Sequence, residues 1–433
     1  MSDIGLSHKK TILFIIPWME IGGADKFNLD ITTGLKRKGW QIIIFCTLKS
    51  ENRWRKEFEK VTENIWVAAD ADYWHLGKSL YSCLIQNKVD IIFLTNSLFG
   101  YQILPWLKSV FPIIPVVDYL HCEELDWLNG GYPMVSASNS HLLDHTVASS
   151  NHLVEWCIEK GSDSETITRS YTSIDFNANR KNSENRNVIR KGFGIDNTTP
   201  IIIYVARLVE QKQPFVLIES LSRLAKMNRS FKCLIIGDGP YKSIVEAAIR
   251  KSPAKENIIF LGAQTNESVK QYMDASDIFF LPSLYEGIAL SIYEAMAKEL
   301  VIVATDTGGQ KELVSTDCGF LVNRKETKNP TEKYAEILHQ LLEDRSLRLG
   351  MGQNSRTRIE KYFAIETMIE EAETILMNVL AKPVKLGEDN NGHLLLLKKM
   401  VSLEKENEDL KAEVNGRLFK MAKKVKSVLK RKE

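Results

Sequence analysis

The sequence predicts an α/β protein built of two doubly wound, Rossmann-like domains facing each other across a cleft, with a helical, basic tail at the end. Three observations predict it. The 433 residues exceed what one core holds, at the usual ~100–200 residues per domain. Short β-branched runs alternate with helical periodicity over most of the length, the pattern of parallel strands joined by crossover helices. That alternation is interrupted between about residues 177 and 200, where Asn, Ser, Arg and Lys replace large apolar residues, and then resumes. The composition, 44% hydrophobic and 26% charged, is globular and excludes disorder for most of the chain.

In the first domain, residues 1–176, strands are expected at Thr11–Ile16, Gln41–Cys46, Ile65–Ala68, Val89–Leu94, Val116–Leu120, Asp144–Ala148 and Thr166–Tyr171. Lys9 and Lys10 before the apolar run Thr11–Met19 imitate a signal peptide, but Pro17, Glu20 and Gly22-Gly23 follow with no small-residue cleavage pattern, so a buried first strand is the expectation. Phe27, Ile31 and Leu35 share one helical face, and Gly39 ends that helix. Residues 177–200 read as a linker. The second domain, 201–362, takes strands at Ile201–Ala206, Lys232–Ile236, Ile258–Leu261, Asp277–Leu281 and Val301–Ala304, and helices near Pro214–Met227, Tyr241–Arg250, Glu267–Ala275 and Ala289–Lys298. Residues 363–382 are expected as a helix packing back toward the N-terminal domain, and 383–433 as the tail.

The six cysteines are scattered with no C-x-x-C pair, which suits reduced thiols rather than a disulfide framework or zinc site. No apolar run approaches the ~18–20 residues of a membrane span, so a cytoplasmic protein is expected, or one peripheral on the inner face of the cell membrane. The formal net charge is only +2, yet Arg417–Glu433 holds eight basic residues against one acid. Leu418, Met421, Ala422, Val425 and Leu429 recur there at helical spacing, the pattern of a helix on an anionic bilayer. A solvated basic end is the plainer reading, and nucleic acid is the less expected polyanion. Leu403, Leu410 and Val414 fit a short coiled coil, through which the tail would self-associate.

Chemistry is expected at the carboxyl ends of the strands, where doubly wound sheets bind ligands. Gly22-Gly23 lies between the first strand and first helix, placed either to bring backbone and helix N-terminus to an anion or simply to turn the chain. Arg207 and Lys212 follow the strand Ile201–Ala206, and two such cations suit a diphosphate, although most Arg and Lys are solvated. After Asp277–Leu281 the chain breaks at Pro282 and enters a helix, which sets Glu286 in the loop and Glu294 inside the helix. The amides around Ile288, Ala289, Leu290 and Ser291 are then free helix donors. A carboxylate here accepts bonds from sugar hydroxyls, or merely complements the helix dipole. Gly308-Gly309-Gln310-Lys311-Glu312 repeats the strand, glycine turn and helix start one unit later, whereas Gly237-Asp238-Gly239-Pro240 reads as a plain turn.

Glu286 and Glu294, with seven residues between them, resemble the E-x7-E motif of the family-4 retaining glycosyltransferases of the GT-B fold, the group 1 glycosyl transferases. Ala206-Arg207-Leu208 with Lys212, Ile236-Gly237-Asp238-Gly239-Pro240, Phe260-Leu261-Gly262 and Thr307-Gly308-Gly309 stand in that family's order, and Gly22-Gly23-Ala24 and His121 match its N-terminal half. The resemblance spans roughly residues 11–380. It implies a transferase that moves a hexose-type sugar from a nucleotide diphosphate sugar to a hydroxyl of a glycan, lipid-linked or polysaccharide acceptor, with retention at the anomeric carbon. It also implies that Glu294 holds the ribose and that Arg207, Lys212, Gly22, Gly23 and the amides of Ile288, Ala289 and Leu290 hold the rest of the donor. Glu286 and His121 would flank the reacting sugar. Ala206 replaces a frequent Gly, Tyr171-Thr172-Ser173-Ile174-Asp175 a frequent Asn-Gly-Val-Asp, and Ala289 a frequent Gly or Pro.

The expectation is a metal-independent enzyme without a cofactor, since fixed cations and helix amides already face the diphosphate. The competing motif is Asp70-Ala71-Asp72, which resembles the metal-binding D-x-D of the other major glycosyltransferase fold. Two rival functions stay open: a nucleotide-sugar epimerase on the same architecture, with carboxylates and a histidine as acid and base, and a non-catalytic partner subunit of a glycosyltransferase complex.

Overall fold

The computed structural model describes residues 9–67, 73–228 and 230–382. The first sheet has seven strands: β1 (Thr11–Ile16), β2 (Gln41–Cys46), β3 (Ile65–Val67), β4 (Ile91–Thr95), β5 (Val116–Leu120), β6 (His145–Ala148) and β7 (Ile167–Arg169). All pairs are parallel, in the order β3-β2-β1-β4-β5-β6-β7. The second has six: β8 (Ile201–Val205), β9 (Lys232–Ile236), β10 (Ile258–Gly262), β11 (Ile278–Leu281), β12 (Val301–Thr305) and β13 (Gly319–Val322), ordered β10-β9-β8-β11-β12-β13 and also parallel. In each sheet the winding reverses once, between β1 and β4 and between β8 and β11, and such a switch point opens a crevice beyond the strand ends. The loops after β1, β5, β8 and β11 carry the site.

Strands this apolar on both faces need helices on both, and the first sheet has them. Phe27, Ile31 and Leu35 of the helix Gly23–Arg37 cover Ile12, Phe14 and Ile16, while Leu80 and Leu84 of Tyr73–Asn87 and Leu104 and Leu107 of Leu104–Val110 cover Leu13 and Ile15 from the other side. The second domain has one continuous core in which Ile202, Ile203, Phe279, Phe280, Ile302 and Val303 are fully buried.

The polar stretch 177–200 is not an unstructured linker. It contains the helix Ser183–Gly192, capped by Asn182 and packed on the helix Asn266–Ala275. Arg190, only 1% exposed, joins Asp277 at 2.8 Å and donates to the carbonyls of Ala275, Asp196 and Thr199. Arg186 reaches the other oxygen of Asp277 at 2.9 Å. A buried, fully paired Arg looks like a solvated one in sequence, so the packing was invisible there. β13 was also absent from the expected strands. It is four residues at the sheet edge, and it begins with Gly319, where a Cβ would lie 2.5 Å from the Ile302 carbonyl.

Within the described residues the chain crosses between domains at Tyr171–Phe176 and near Phe363, where Ile174 and Ala364 form a parallel bridge and Ser173 bonds the Phe363 carbonyl. The helix Ile365–Ala381 then packs Met368, Ile369, Leu376 and Val379 into the core of the first domain. Gly34 makes room for it, since a Cβ there would come within 2.4 Å of Ile369. Glu373 accepts from the Trp40 indole at 3.2 Å and pairs with Lys38 at 2.8 Å.

Candidate active site

Beyond β1, Gly22 is the N-cap of Gly23–Arg37 in extended backbone, and no side chain caps that helix. Asp25, on its first turn, is buried and accepts from the Glu20 N–H at 3.2 Å, and loss of solvent raises its pKa to about 7. A Cβ on Gly23 would lie 3.6 Å from Leu290 of the other domain. The N-termini of Gly23–Arg37 and Leu290–Ala297 therefore meet across the cleft, each a partial positive charge.

Beyond β8 the chain runs through Ala206, Arg207 and Leu208. The Gly237–Gly239 loop does more than turn. Cβ atoms there would sit 1.9 Å from the Ala206 carbonyl and 2.6 Å from that of Leu208, and Leu208 N–H donates to Asp238 at 2.8 Å. Only glycine lets these two backbones touch, and φ is +155° at Gly237 and +152° at Gly239. Arg207 is exposed at the cleft mouth. Across from it stands Glu124, whose pKa burial raises and the charge of Arg207 partly restores. Lys212 closes the short turn Glu210–Lys212, and its ammonium pairs with Glu286.

The loop after β11 is fixed by backbone. Leu284 N–H donates to the Gln211 carbonyl at 2.7 Å, and the Gln211 amide donates to that of Tyr285 at 3.1 Å. Glu286 is buried, and Gly308, at φ +56°, lies under it where a Cβ would be 1.7 Å from the Glu286 carbonyl. Ile288 and Ala289 are buried, and Ala289 is the N-cap of Leu290–Ala297 without a side-chain cap, which leaves first-turn amides for a ligand. Glu294, inside that helix, is half-buried rather than solvated. Burial raises its pKa against the pull of Lys270 and Lys26, the latter on the facing helix.

His121 follows β5 on the opposite wall, edge-on to Phe27 at 5.1 Å and tilted to Tyr119 at 5.0 Å, with its Nε2 3.4 Å from the Thr95 hydroxyl. Burial lowers its pKa to about 4, so the ring is neutral at ordinary pH. Gly287 touches this wall directly, because a Cβ there would be 1.8 Å from the His121 carbonyl. The structure thus brings Gly22, Gly23, His121, Lys212, Glu286, Ile288, Ala289, Leu290 and Glu294 around one interdomain space, with Arg207 at its mouth. Asp70 and Asp72 lie outside the described residues, as does the tail 383–433 with its bilayer and coiled-coil patterns. Among the described residues no three His, Cys, Asp or Glu side chains gather as a metal site would need.

One residue whose role sequence reasoning missed holds the cleft together. Glu312, on the short helix Gln310–Leu313, accepts from Asn151 N–H at 2.9 Å, Asn151 Nδ2 at 3.0 Å, His152 N–H at 2.9 Å and Tyr171 OH at 2.9 Å, all from the first domain. A carboxylate of one domain so supplements the Ser150 N-cap of the helix Asn151–Glu159 of the other, taking the two first-turn amides that Ser150 does not. Gly309 lets it approach, since a Cβ there would lie 2.5 Å from Ser150. The only sequence signal was an acid shortly after a glycine turn.

Residues 185–358 match the family described as Glycosyl transferases group 1. The GDP-mannose-dependent monoacylated alpha-(1-6)-phosphatidylinositol monomannoside mannosyltransferase of Corynebacterium glutamicum is 28% identical over 202 residues, 45% of this chain and 51% of that protein. The N-acetyl-alpha-D-glucosaminyl L-malate synthase of Bacillus anthracis is 27% identical over 207 residues, 48% of this chain and 51% of that protein. The chain thus spans about half the length of these curated relatives. Among solved structures, Anabaena Alr3699/HepE in complex with UDP superposes with a TM-score of 0.73 at 20% identity, covering 85% of this chain and all of that one. WaaG, a glycosyltransferase involved in lipopolysaccharide biosynthesis, gives 0.63 at 13% identity over 84% of this chain and 99% of that one. The fold is GT-B.

Proposed function

We propose that this GT-B protein, similar through its C-terminal half to the group 1 glycosyl transferases, is a retaining glycosyltransferase that moves a hexose-type sugar from a nucleotide diphosphate sugar to a hydroxyl of a glycan, lipid-linked or polysaccharide acceptor. The observation that carries this reading is the convergence of Lys212, Glu286 and the first turn of Leu290–Ala297 on the space faced by a neutral His121. In this reading Arg207, Lys212 and the amides near Ile288–Ser291 stabilise charge growing on the departing diphosphate, a preorganised electrostatic contribution. Lys212 pairs with Glu286, and a donor phosphate competes for the same ammonium. Glu286 then accepts from sugar hydroxyls and Glu294 from the ribose. No metal or cofactor takes part. Nothing in the geometry favours an epimerase or a non-catalytic subunit over this assignment.

Titration of UDP, GDP and ADP into two variants tests the roles. Glu294→Ala should weaken nucleotide binding, and Glu286→Ala should spare it while cutting turnover of the sugar donor. Equal losses of nucleotide affinity in both would sink the assignment. The basic segment Arg417–Glu433 supports a second element of the proposal, electrostatic attachment to the anionic inner face of the cell membrane. A chain ending at Lys382 should keep donor hydrolysis yet lose low-salt flotation with anionic vesicles, and flotation unchanged by the truncation would refute the attachment.

A further inference from the structure

The short turn that presents Lys212 to the cleft is strained at its end. Gln213 closes the turn Glu210–Lys212 and, in the same step, stands as the residue before the helix Pro214–Met227. To do both it adopts the left-handed conformation, with φ +51° and ψ +52°. Glycine, or a short Asn or Asp, is the usual occupant of that region. A residue with a long side chain stays there only where other contacts hold it.

Here the side chain itself makes those contacts. Gln213 Nε2 donates to the carbonyl and to the Oε1 of Glu210, each at 2.9 Å, while Gln213 Oε1 accepts from Arg324 Nη2 at 3.2 Å. Glu210 is held in turn by the Tyr241 hydroxyl at 3.0 Å. Arg324 comes from the loop after β13, so the edge strand of the sheet reaches a turn that follows the inner strand β8. From β8 the Tyr204 hydroxyl donates to the Lys212 carbonyl at 3.1 Å. The backbone is thus fixed on both sides of a lysine whose ammonium pairs with Glu286. A lysine on a free loop would spread its flexible stem over many positions.

We propose that Gln213 is a positioning residue for the donor diphosphate: its left-handed backbone and its clamp between Glu210 and Arg324 hold Lys212 where the phosphates arrive. This rests on the donor-site reading above and adds to it a residue that acts through Lys212 rather than on the donor. Lys212 pairs with the carboxylate assigned to the sugar, so it meets the phosphate nearer the sugar, which a nucleoside monophosphate lacks. Glycine holds a left-handed backbone without strain, so Gln213→Gly keeps the shape of the turn and removes the clamp. Arg324→Met releases the same amide from the other side.

The test titrates UDP, GDP and ADP, and the matching monophosphates, into the full chain, into these two variants, into Lys212→Met and into Gln213→Gly with Lys212→Met. Gln213→Gly should lose about tenfold in affinity for the diphosphate that the parent binds and less than about twofold for its monophosphate. Its melting temperature should match or exceed the parent's, and Arg324→Met should show the same selective loss. In the Lys212→Met background Gln213→Gly should add less than about twofold, because no ammonium remains to be placed. Diphosphate affinity unchanged in both clamp variants, equal losses for diphosphate and monophosphate, or a loss fully additive to that of Lys212→Met would overturn the proposal and leave the donor-site reading standing. A parent that binds none of these nucleotides would remove that reading and the proposal with it.

Discussion

Replacing Glu312 by Ala should separate the domains while leaving each intact. The carboxylate accepts four bonds from the first domain, two of them from the Asn151 and His152 amides at the start of a helix that has no other acceptor for them. Loss of a helix cap costs ~0.5–2 kcal/mol, and a hydrogen bond to a charged group is worth ~1.5–3 kcal/mol. Glu312 is half-exposed, so water can take over the Asn151 side chain and the Tyr171 hydroxyl, which brings the expected loss to about 2–3 kcal/mol. At ~2–4 °C per kcal/mol for domains of this size, the unfolding midpoint should fall by ~4–12 °C. Glu312→Gln keeps one acceptor oxygen and should lose less than half as much. Calorimetry reads the midpoint, and turnover of the sugar donor reads the consequence, because His121 and Glu286 face each other only while the domains are docked. Both variants should lower turnover without altering any group that touches the donor. A Glu312→Ala protein with the parent's midpoint and the parent's turnover would refute the latch.

Gly287→Ala places a methyl 1.8 Å from the His121 carbonyl. It should abolish turnover while the melting temperature falls only modestly, and an active Gly287→Ala enzyme would show that the walls can part without cost. His145, on β6, is buried, and its pKa is lowered to about 4 by desolvation, against ~6.5 when unfolded. Between these values the unfolded chain binds the proton, so stability rises with pH. His145→Gln should remove up to roughly 3 kcal/mol of that slope between pH 4 and 6.5, measured by denaturant titration, and an unchanged slope would contradict it. Donor turnover should persist in excess EDTA. Complete loss in chelator, restored by magnesium or manganese, would favour Asp70 and Asp72 instead.

Much of the fold was legible because its signals are local. β1, β2, β5 and β9 fall on the residues expected from apolar runs, as does the helix Pro214–Met227, which Pro214 opens. What escaped depends on partners distant in sequence. Arg190 is a core residue only because Asp277 and three carbonyls converge on it, and β13 is a strand only because β12 offers an edge. The positions of Glu286 and Glu294 followed from where a strand breaks and a helix begins. The opposite wall did not follow, since the approach of His121 to Gly287 and the grip of Glu312 on Asn151 are set by docking. The glycines tell the same story. Gly309 read as part of a glycine turn before a helix, yet the structure uses it to admit Ser150 of the other domain and uses Gly287 to admit the His121 backbone.

The helix Ile365–Ala381 carries a consequence for how the protein is made. It supplies Met368, Ile369, Leu376 and Val379 to the same core as Phe27, Ile31 and Leu35, so the first domain is closed by a stretch that leaves the ribosome only after the whole second domain. At ~5–20 residues per second, more than 300 residues separate the two by roughly 15–70 s. Throughout that interval the side of the first helix at Gly34, which receives Ile369, lacks its cover. The nascent N-terminal half must therefore be shielded or tolerated unfinished, and any message truncated before residue 365 yields a domain with its core open to water.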